Sequence, residues 1–287
     1  MYVVAGVTGH VGSVVAKDLL GKGKAVRVLV RSADKGAAWS KQGAEVAIGS
    51  LDDPSFLAGA LKGASGFFTL LPPNYQASDF FATQKKTADS IASAVKTSGV
   101  RHVVMLSSIG ADLPSGTGPI RGLNYLENAL RTTGVTLSAI RAGSFQENVA
   151  MSLGPAKAMG IFPNFAPSAD YPLPQIATKD IAKLAVQLLV DAPAKSETID
   201  LVGPAYSNRQ VAEKLGASLG KKLQVVDVPP TGVVDALMKG GMPKSLAELF
   251  AEMYGAFGKG LIAPVGDRVI HGTTTLDETL KQVLSGT

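Results

Sequence analysis

The 287-residue sequence contains no cysteine, which excludes disulfide bonds, thiol catalysis and metal sites built on thiolates. Its only three histidines, His10, His102 and His271, lie far apart along the chain, so a histidine-based metal site is not expected. No apolar stretch has the length of a membrane-spanning helix, and no basic segment precedes the first strand pattern. We therefore expect a cytoplasmic protein that holds no metal and does not contact a membrane.

Charged residues are also sparse, at 18% of the chain, and the net charge at pH 7 is +5. The lysines and arginines are scattered and form no run of the kind that binds nucleic acid, so we expect no direct nucleic-acid partner. Hydrophobic residues make up 46% of the sequence, which is enough for a large core. The length fits one large domain or a domain with a smaller lobe.

A glycine-rich turn near the start of the chain is the most informative feature that is present. Residues 3–5 form an apolar run, three glycines follow at a spacing of three, and apolar residues then recur at helical spacing. In a dinucleotide-binding turn, Gly6 would make the tight turn, Gly9 would let the backbone approach a pyrophosphate, and Gly12 would let helix and strand pack closely. The phosphates would lie on free N–H groups at the start of the helix. The predicted contact residues of this turn are Gly6, Thr8, Gly9, His10, Val11 and Gly12. The alternative is a glycine-rich turn that binds no ligand.

The second predicted strand ends at a basic residue. Sites for NAD usually place an acid at this position to bind the ribose 2′-hydroxyl, whereas sites for NADP place an arginine near the 2′-phosphate. Here Arg31 occupies the position, Lys35 lies within reach, and the only nearby acid, Asp34, lies beyond the strand end. The sequence favours NADP(H), with NAD(H) as the alternative cofactor and a solvated side chain as the alternative role of Arg31.

Strands and helices alternate through the first half of the chain. Several strands are continuous apolar runs, which is typical of a parallel sheet covered on both faces. Six strands are predicted at residues 3–5, 25–30, 45–48, 66–71, 101–106 and 136–141. Further helices are predicted from Thr178, which is expected to act as the N-cap, after Ser207, at 231–239 and 244–258, and from Leu276.

This pattern predicts an α/β fold, a Rossmann-type doubly wound parallel sheet with a smaller C-terminal α/β lobe. The NAD(P)-binding core is predicted in residues 1–150. The substrate-side lobe is predicted in residues 151–287 and interleaves with the core. Residues 151–174 are rich in proline, glycine and phenylalanine and are predicted to be a loop region on the substrate side.

Ligands of such sheets bind at the carboxyl ends of the strands. Asp52 has two interpretations there, an acceptor for the adenine amino group or a cap of the helix that begins at Pro54, and both roles are compatible. The predicted cofactor residues at the later strand ends are Asp52, Leu70, Leu71, Pro72, Ser107 and Gly143.

The sixth strand also ends at this edge of the sheet, at Gly143 to Asn148, where a ligand is expected. Four side chains near it suit either a flat apolar acceptor or a hydrophobic core: Phe145, Met151, Met159 and Phe162. No catalytic residue is assigned, and the candidates near the nicotinamide and substrate are Ser107, Tyr125, Phe145 and Asn148.

These segments together resemble one known family. The glycine turn, Arg31, residues 49–52, 106–108 and 140–148 follow one another as in the NmrA-like family of atypical short-chain dehydrogenases/reductases, and residues 274–280 are similar to its closing helix. That family includes type-2 quinone oxidoreductases, triphenylmethane reductase and NADP-sensing regulators. The resemblance implies an extended Rossmann fold that binds NAD(P)(H) between core and lobe. It implies that Arg31 contacts the 2′-phosphate and that Asp52 lies near the adenine. It also implies that the segment from Gly143 to Asn148 lies by the nicotinamide and the substrate. It also makes a homodimer a reasonable expectation.

The sequence departs from the tyrosine–lysine pattern of short-chain reductases. Those enzymes place a lysine four residues after a tyrosine, and the pair supplies a proton. Here Tyr125 is followed at the fourth position by Ala129, so Tyr125 is either an ordinary helix-face residue or a proton donor without its lysine. A quinone or a cationic dye accepts a hydride directly and does not require the pair.

We therefore expect an NADPH-dependent oxidoreductase that transfers a hydride to a quinone-like or other flat, apolar small molecule. The main alternative is a non-catalytic NADP(H) sensor that acts through a protein partner. A third interpretation is an isomerase or lyase that uses the bound cofactor.

Overall fold

The computed structural model describes residues 1–285 and places their strands in one main sheet and two small sheets. In chain order, the strands are β1 (Tyr2–Val4), β2 (Val26–Val30), β3 (Glu45–Ile48), β4 (Gly66–Thr69), β5 (His102–Ser108), β6 (Thr136–Ala142), β7 (Ser144–Phe145), β8 (Ile161–Asn164), β9 (Leu173–Ile176), β10 (Glu197–Val202), β11 (Ala205–Tyr206), β12 (Gln224–Asp227) and β13 (Arg268–His271).

Helices join most of these strands. They are α1 (His10–Gly21), α2 (Ala33–Ser40), α3 (Pro54–Leu61), α4 (Phe80–Ser98), α5 (Arg121–Arg131), α6 (Leu153–Met159), α7 (Thr178–Val190), α8 (Asn208–Leu219), α9 (Val233–Lys239), α10 (Lys244–Gly258) and α11 (Leu276–Ser285). Short 3₁₀ helices occur at Gly118–Ile120, Gln146–Ser152 and Pro230–Gly232.

The main sheet has eight strands in the order β13-β10-β6-β5-β4-β1-β2-β3, and every neighbouring pair is parallel. From β1 the order runs through β2 and β3 in one direction and through β4, β5 and β6 in the other. The crossover connections therefore reverse between β1 and β4, which opens a crevice at the carboxyl ends of these two strands. This architecture confirms the predicted doubly wound α/β fold.

Helices cover both faces of the main sheet. The neighbouring residues Phe67 and Phe68 of β4 point to opposite faces, and both are fully buried. Phe68 packs with apolar residues of α1 and α7, whereas Phe67 packs with those of α3, α4 and α5. Since burying one phenylalanine side chain is worth about 1.5–3 kcal/mol, a strand with two such residues requires both helical layers.

The chain after residue 150 contributes to the sheet and to a separate lobe. Strands β10 and β13 extend the main sheet, and α7 covers one of its faces. The lobe has its own core, in which Phe162, Leu215 and Leu276 are buried with residues of α6, α8 and α11. The two small sheets, β11-β9-β7 and β12-β8, complete it. A division of the chain at residue 150 stays a prediction.

The prediction that residues 151–174 form a loop region is wrong, because this segment contains α6, β8 and the start of β9. Because these elements have only four to seven residues and contain Pro155 and Pro163, their sequence pattern is typical of a loop.

A search of the helices within residues 1–285 for one that is sufficiently long and apolar to cross a membrane finds none.

Candidate cofactor and active site

The glycine-rich turn joins β1 to α1 at the crevice of the main sheet. Gly6 has φ +69°, which favours glycine, and a Cβ atom there would lie 2.6 Å from the Cδ2 atom of Leu70. A Cβ atom on Gly12 would lie 2.5 Å from the carbonyl oxygen of Gly6, so a side chain there would push α1 away from β1. At Gly9 the nearest atom would be 3.5 Å away, and the space beyond the backbone is open. The turn therefore has a closed inner side and an open outer side.

The first turn of α1 presents unpaired N–H groups to this open side. Its N-cap, Gly9, has no side chain to accept a hydrogen bond, and the first turn contains no acidic residue. Within residues 1–285, the backbone N–H groups of His10, Val11 and Gly12 have no acceptor. Thr8, Gly9 and His10 are exposed. Free N–H groups and the positive end of a helix attract an anion, so these residues fit the pyrophosphate of a dinucleotide.

Two basic side chains lie beside this turn at the end of β2. Arg31 follows the last residue of the strand, and Lys35 is the third residue of α2. Both are exposed, and neither forms an ion pair or a side-chain hydrogen bond within the described part of the chain. A hydrogen bond from the Ser32 side chain lowers the pKa of Asp34, so this nearby acid stays ionised. The strand end thus offers a phosphate the uncommitted guanidinium of Arg31 and the ammonium group of Lys35, whose charge also lowers the pKa of Asp34.

Asp52 lies beyond the end of β3, but it does not cap α3. The cap is Asp53, whose Oδ1 atom accepts hydrogen bonds of 3.0 Å from the N–H groups of Ser55 and Phe56. The interpretation of Asp52 as the cap is therefore wrong, because two adjacent aspartates compete for one helix start and the second one takes it. The Asp52 carboxylate instead accepts a hydrogen bond from the Thr87 hydroxyl of α4. Its role as an acceptor for the adenine amino group stays a prediction.

The predicted fourth strand is two residues too long, because β4 ends at Thr69. Leu70 contacts the inner side of the glycine turn, Leu71 is buried in the core on the side of α4, and Pro72 is exposed. Of these three predicted cofactor residues, Leu70 is thus the one that the structure places against the glycine turn.

Ser107, at the end of β5, belongs to a buried polar network. Its hydroxyl donates a 2.6 Å hydrogen bond to Glu127 Oε1 in α5. The same carboxylate accepts two hydrogen bonds from Arg141 of β6, at 3.0 Å from Nε and 2.8 Å from Nη2. Burial opposes the charge of Arg141, but the hydrogen bonds and negative charge of Glu127 raise the pKa of its guanidinium above the usual value. Sequence reasoning missed the Glu127–Arg141 pair because its members lie on separate elements and no spacing links them.

Tyr125 lies on the surface between α4 and α5. Its hydroxyl donates a 2.6 Å hydrogen bond to Asp89 Oδ1, and Lys85 donates to the other oxygen of that carboxylate at 2.9 Å. The Lys85 ammonium also lies 4.8 Å from the centre of the Tyr125 ring. These contacts hold the Tyr125 hydroxyl in a surface cluster and favour its interpretation as a helix-face residue.

The segment after β6 attaches the lobe to the main sheet. The N–H group of Gly143 donates to the Leu201 carbonyl at 3.0 Å, and Phe145, in β7, is half-buried. Gln146 is fully buried, and its amide group donates to the carbonyl groups of Gln175 at 3.1 Å and Thr274 at 2.8 Å. Asn148 is exposed. Of this segment, Phe145 and Asn148 keep surface that a ligand can reach.

Glu147, in the same segment, caps α7. Its Oε1 atom accepts hydrogen bonds from the N–H group of Thr178 at 2.9 Å and from the Thr178 hydroxyl at 2.6 Å. The prediction that Thr178 caps α7 is therefore wrong, since Thr178 is the first helical residue and its cap comes from 31 residues earlier.

The four apolar candidates for an acceptor surface have different environments. Phe162 is buried in the lobe core and Phe145 is half-buried, whereas Met151 and Met159 are 65% and 64% exposed. Of the four, only Met151 and Met159 have side chains that lie mostly outside the hydrophobic core.

Comparison with known proteins supports the fold. The chain matches the model of the NmrA-like family over residues 2–283. It is 29% identical over 270 residues to the NAD(P)H azoreductase of Xenophilus azovorans, which covers 94% of this chain and 91% of the relative. It is 25% identical over 296 residues to quinone oxidoreductase 2 of Escherichia coli (strain K12), which covers 99% of each.

Two solved structures share the fold at lower identity. Triphenylmethane reductase of Citrobacter sp., complexed with NADP(H), has a TM-score of 0.81 at 23% identity and covers 98% of this chain and 99% of its own. Nmra, a negative transcriptional regulator, has a TM-score of 0.66 at 20% identity and covers 90% of this chain and 83% of its own. One of these proteins is a reductase and the other a regulator, so the shared fold does not separate the two functions.

Proposed function

Because this chain belongs to the NmrA-like family, we propose that it is an NADPH-dependent reductase that transfers a hydride to a quinone-like or other flat, apolar acceptor. The observation that carries the proposal is the open anion site at the start of α1, with the unpaired Arg31 at the neighbouring strand end. Two relatives with reductase names, an NAD(P)H azoreductase and a quinone oxidoreductase, support the reaction class.

Different residues of the crevice bind different parts of the cofactor. The free N–H groups of His10, Val11 and Gly12 bind the pyrophosphate, and Gly9 lets it approach the backbone. Arg31 and Lys35 bind the 2′-phosphate, which distinguishes NADPH from NADH. When bound, the cofactor supplies the hydride from its nicotinamide ring.

The hydrogen bonds of the Tyr125 and Ser107 hydroxyls bear on which acceptors the protein can reduce. The Tyr125 hydroxyl donates to Asp89 and the Ser107 hydroxyl donates to Glu127, so both protons are already committed. A carbonyl substrate needs a proton from the enzyme as the hydride arrives, whereas a quinone takes the hydride and then a proton from solvent. The protein's contribution is then to position the acceptor beside the nicotinamide, which suits a flat, apolar molecule.

A non-catalytic NADP(H) sensor is the second candidate. The committed Tyr125 and Ser107 hydroxyls favour it as well, because a sensor needs the cofactor site without a proton donor. The fold shared with a transcriptional regulator supports it. A sensor binds NADPH tightly, oxidises it slowly and exposes a surface to a protein partner.

The decisive experiment mixes the purified protein with NADPH and a panel consisting of a quinone, an azo dye, a triphenylmethane dye and a simple aldehyde. NADPH oxidation is followed by its near-ultraviolet absorbance, with NADH in parallel. We expect many turnovers with the flat acceptors, few with the aldehyde, and a preference for NADPH. Tight binding without turnover would shift the conclusion to the sensor.

Gly9→Asp is the matched control for this experiment. The position has room for a side chain and an extended backbone, and aspartate is a favourable N-cap, so the variant should fold. Its carboxylate would occupy the free N–H groups and repel the pyrophosphate, and turnover should disappear. If the wild-type protein binds neither NADPH nor NADH, the proposed function is wrong.

A further inference from the structure

Helix α10 packs against the connection between β5 and α5, residues 109–120. A Cβ atom on Gly118 would lie 2.9 Å from the carbonyl carbon of Leu249 and 3.3 Å from the Cβ atom of Met253, both in α10. Shortly after the helix, the Cγ1 atom of Ile262 lies 3.2 Å from the place that a Cβ atom on Gly110 would take. This connection starts at the carboxyl end of β5, where ligands of such sheets bind, so α10 lies at the edge of the crevice.

A second side of α10 faces the lobe. The ring of Tyr254 is stacked on the ring of Phe165, with centroids 5.1 Å apart and planes 12° apart, and the ring of Phe250 lies 6.3 Å from that of Tyr254. Phe165 directly follows β8. The Cγ atom of Pro167 lies 3.5 Å from the place that a Cβ atom on Gly258, the last residue of α10, would take. Helix α10 therefore spans from the strand ends of the core to the lobe.

The hydroxyl of Tyr254 is an uncommitted donor at this junction. The side chain is half-buried, and its hydroxyl makes no hydrogen bond to any of residues 1–285. The oxygen is not sealed from solvent, so a ligand can reach it. Burial raises the pKa of Tyr254 to about 12, so the hydroxyl keeps its proton at neutral pH. It differs in this from Tyr125 and Ser107, whose hydroxyls already donate within the protein.

The aromatic stack determines what kind of molecule this donor suits. Phe165 and Tyr254 present flat apolar rings, and the Tyr254 ring carries its one polar group at the edge. The stack also restricts the direction in which the hydroxyl points. A flat molecule with an oxygen at its own edge would pack on the rings and accept the hydrogen bond.

We propose that Tyr254 is a specificity-determining residue of the acceptor site, and that its hydroxyl donates a hydrogen bond to a carbonyl oxygen of the acceptor. The protein should then favour quinones over flat acceptors that lack such an oxygen. The inference rests on the proposed reductase function. As the hydride reaches the quinone ring, negative charge builds on its oxygens, and the hydrogen bond stabilises this charge. The hydroxyl keeps its proton because its pKa is above that of an ordinary phenol, so the proton that completes the hydroquinone comes from solvent.

The test compares kcat/KM for 1,4-naphthoquinone and for a cationic triphenylmethane dye at saturating NADPH. The amino nitrogens of the dye share their lone pairs with the cation and accept hydrogen bonds poorly. Tyr254→Phe keeps the stacked ring and removes the donor. Its kcat/KM for the quinone should fall about fivefold, the effect of one hydrogen bond between neutral groups, and its kcat/KM for the dye should stay the same. Since the hydroxyl has no partner in the fold, urea unfolding should show no loss of stability.

Tyr2→Phe is the matched control. Tyr2 is also half-buried, and its hydroxyl also makes no hydrogen bond within residues 1–285, but it begins β1 at the amino end of the sheet. This variant should leave kcat/KM unchanged for both acceptors. Tyr254→Leu removes the ring as well as the hydroxyl, so kcat/KM should fall for the quinone and for the dye.

Infrared difference spectroscopy of the wild-type protein gives an answer that does not depend on a variant. With NADP⁺ in place of NADPH, one carbonyl stretch of bound 1,4-naphthoquinone should move to lower frequency than in an apolar solvent. An unshifted carbonyl band, or a quinone-to-dye ratio in Tyr254→Phe equal to the wild-type ratio, would overturn the inference and leave the proposed reductase intact. A wild-type protein that oxidises NADPH with neither acceptor would overturn the proposed function and this inference with it.

Discussion

At the scale of single residues, Arg31 is the side chain on which cofactor preference should depend. It is exposed and has no ion-pair partner among the described residues, so its guanidinium is available to a 2′-phosphate. Arg31→Gln should raise the dissociation constant of NADPH by about 10- to 100-fold, because one charge-assisted contact is worth about 1.5–3 kcal/mol. The affinity for NADH should change little.

Arg101→Gln is the control for this prediction. Arg101 is also exposed but immediately precedes β5, at the amino end of the strand and therefore away from the crevice. Isothermal titration calorimetry with both cofactors gives the comparison. Equal losses for NADPH and NADH in the Arg31 variant would contradict the 2′-phosphate assignment.

His102 makes stability depend on pH. The side chain is buried at the start of β5, its Nε2 atom lies 3.1 Å from Ser138 Oγ, and within the described structure its Nδ1 atom has no partner. Burial lowers the pKa of His102, an effect that the charge of Glu197 partly opposes. Because the folded pKa lies below the unfolded value of about 6.5, the folded state favours the neutral ring. The stabilisation is complete above that pH and is lost as the pH falls through the folded pKa.

The free energy of unfolding should therefore decrease below about pH 6.5, by up to about 1.4 kcal/mol per pH unit from this residue. Urea unfolding between pH 5 and 7.5 measures the slope. His102→Gln should flatten it, whereas His271→Gln, at an exposed position, should leave it unchanged. A slope that is the same in all three proteins would rule out His102 as its source.

The parts of the site that sequence reasoning could predict are local ones. The glycine turn and the basic strand end depend on neighbours within a few residues, and the structure places them side by side at the crevice. The Asp52 cap was misplaced by one residue because cap preference does not distinguish adjacent aspartates. The partners of Ser107 and Tyr125 could not be predicted, since they lie 20 and 36 residues away on other elements.

At the scale of secondary-structure elements, the first six strands of the main sheet and α10 were predictable, whereas the short elements after residue 150 that build the lobe were not. The third strand and α10 were predicted with their observed bounds. The elements between residues 151 and 174 have at most seven residues each. Their stability comes from packing against the lobe core, which leaves little trace in local sequence.

The cap of α7 is the element-scale feature that is most easily tested. Glu147→Ala should lower the free energy of unfolding by about 1–2 kcal/mol, because the Thr178 N–H group and hydroxyl lose their common acceptor. Glu147→Gln keeps an acceptor oxygen and should recover most of the loss. Urea unfolding measures both, with Glu213→Ala at an exposed position as the control. If Glu147→Ala is as stable as the control, the cap contributes nothing measurable.

At the scale of the whole molecule, one buried amide ties three distant segments together. Gln146 donates to Gln175 and Thr274 and accepts a 2.6 Å hydrogen bond from the hydroxyl of Thr279 in α11. The alternation of strands and helices predicted the fold class, but it could not predict such contacts or the entry of β10 and β13 into the main sheet. Pairings of this kind depend on residues far apart in the chain.

Gln146→Leu should destabilise the protein by about 2–4 kcal/mol, because three buried polar groups lose their partner. The effect should be concentrated at the attachment of α11, so amide hydrogen exchange in Leu276–Ser285 should accelerate more than in α1. Gln282→Leu, at an exposed position of α11, serves as the control. Uniform acceleration throughout the chain would show that Gln146 does not act on this helix in particular.

Gln146 also has a consequence for synthesis on the ribosome. Its last partner, Thr279, is translated 133 residues later, which at about 5–20 residues per second is a delay of roughly 7–27 s. The first six strands of the main sheet are synthesised before this delay begins, and the lobe core closes only after it. During the interval the lobe lacks Leu276 and Leu280 of α11, so the apolar residues that they cover in the folded protein stay open to water on the nascent chain.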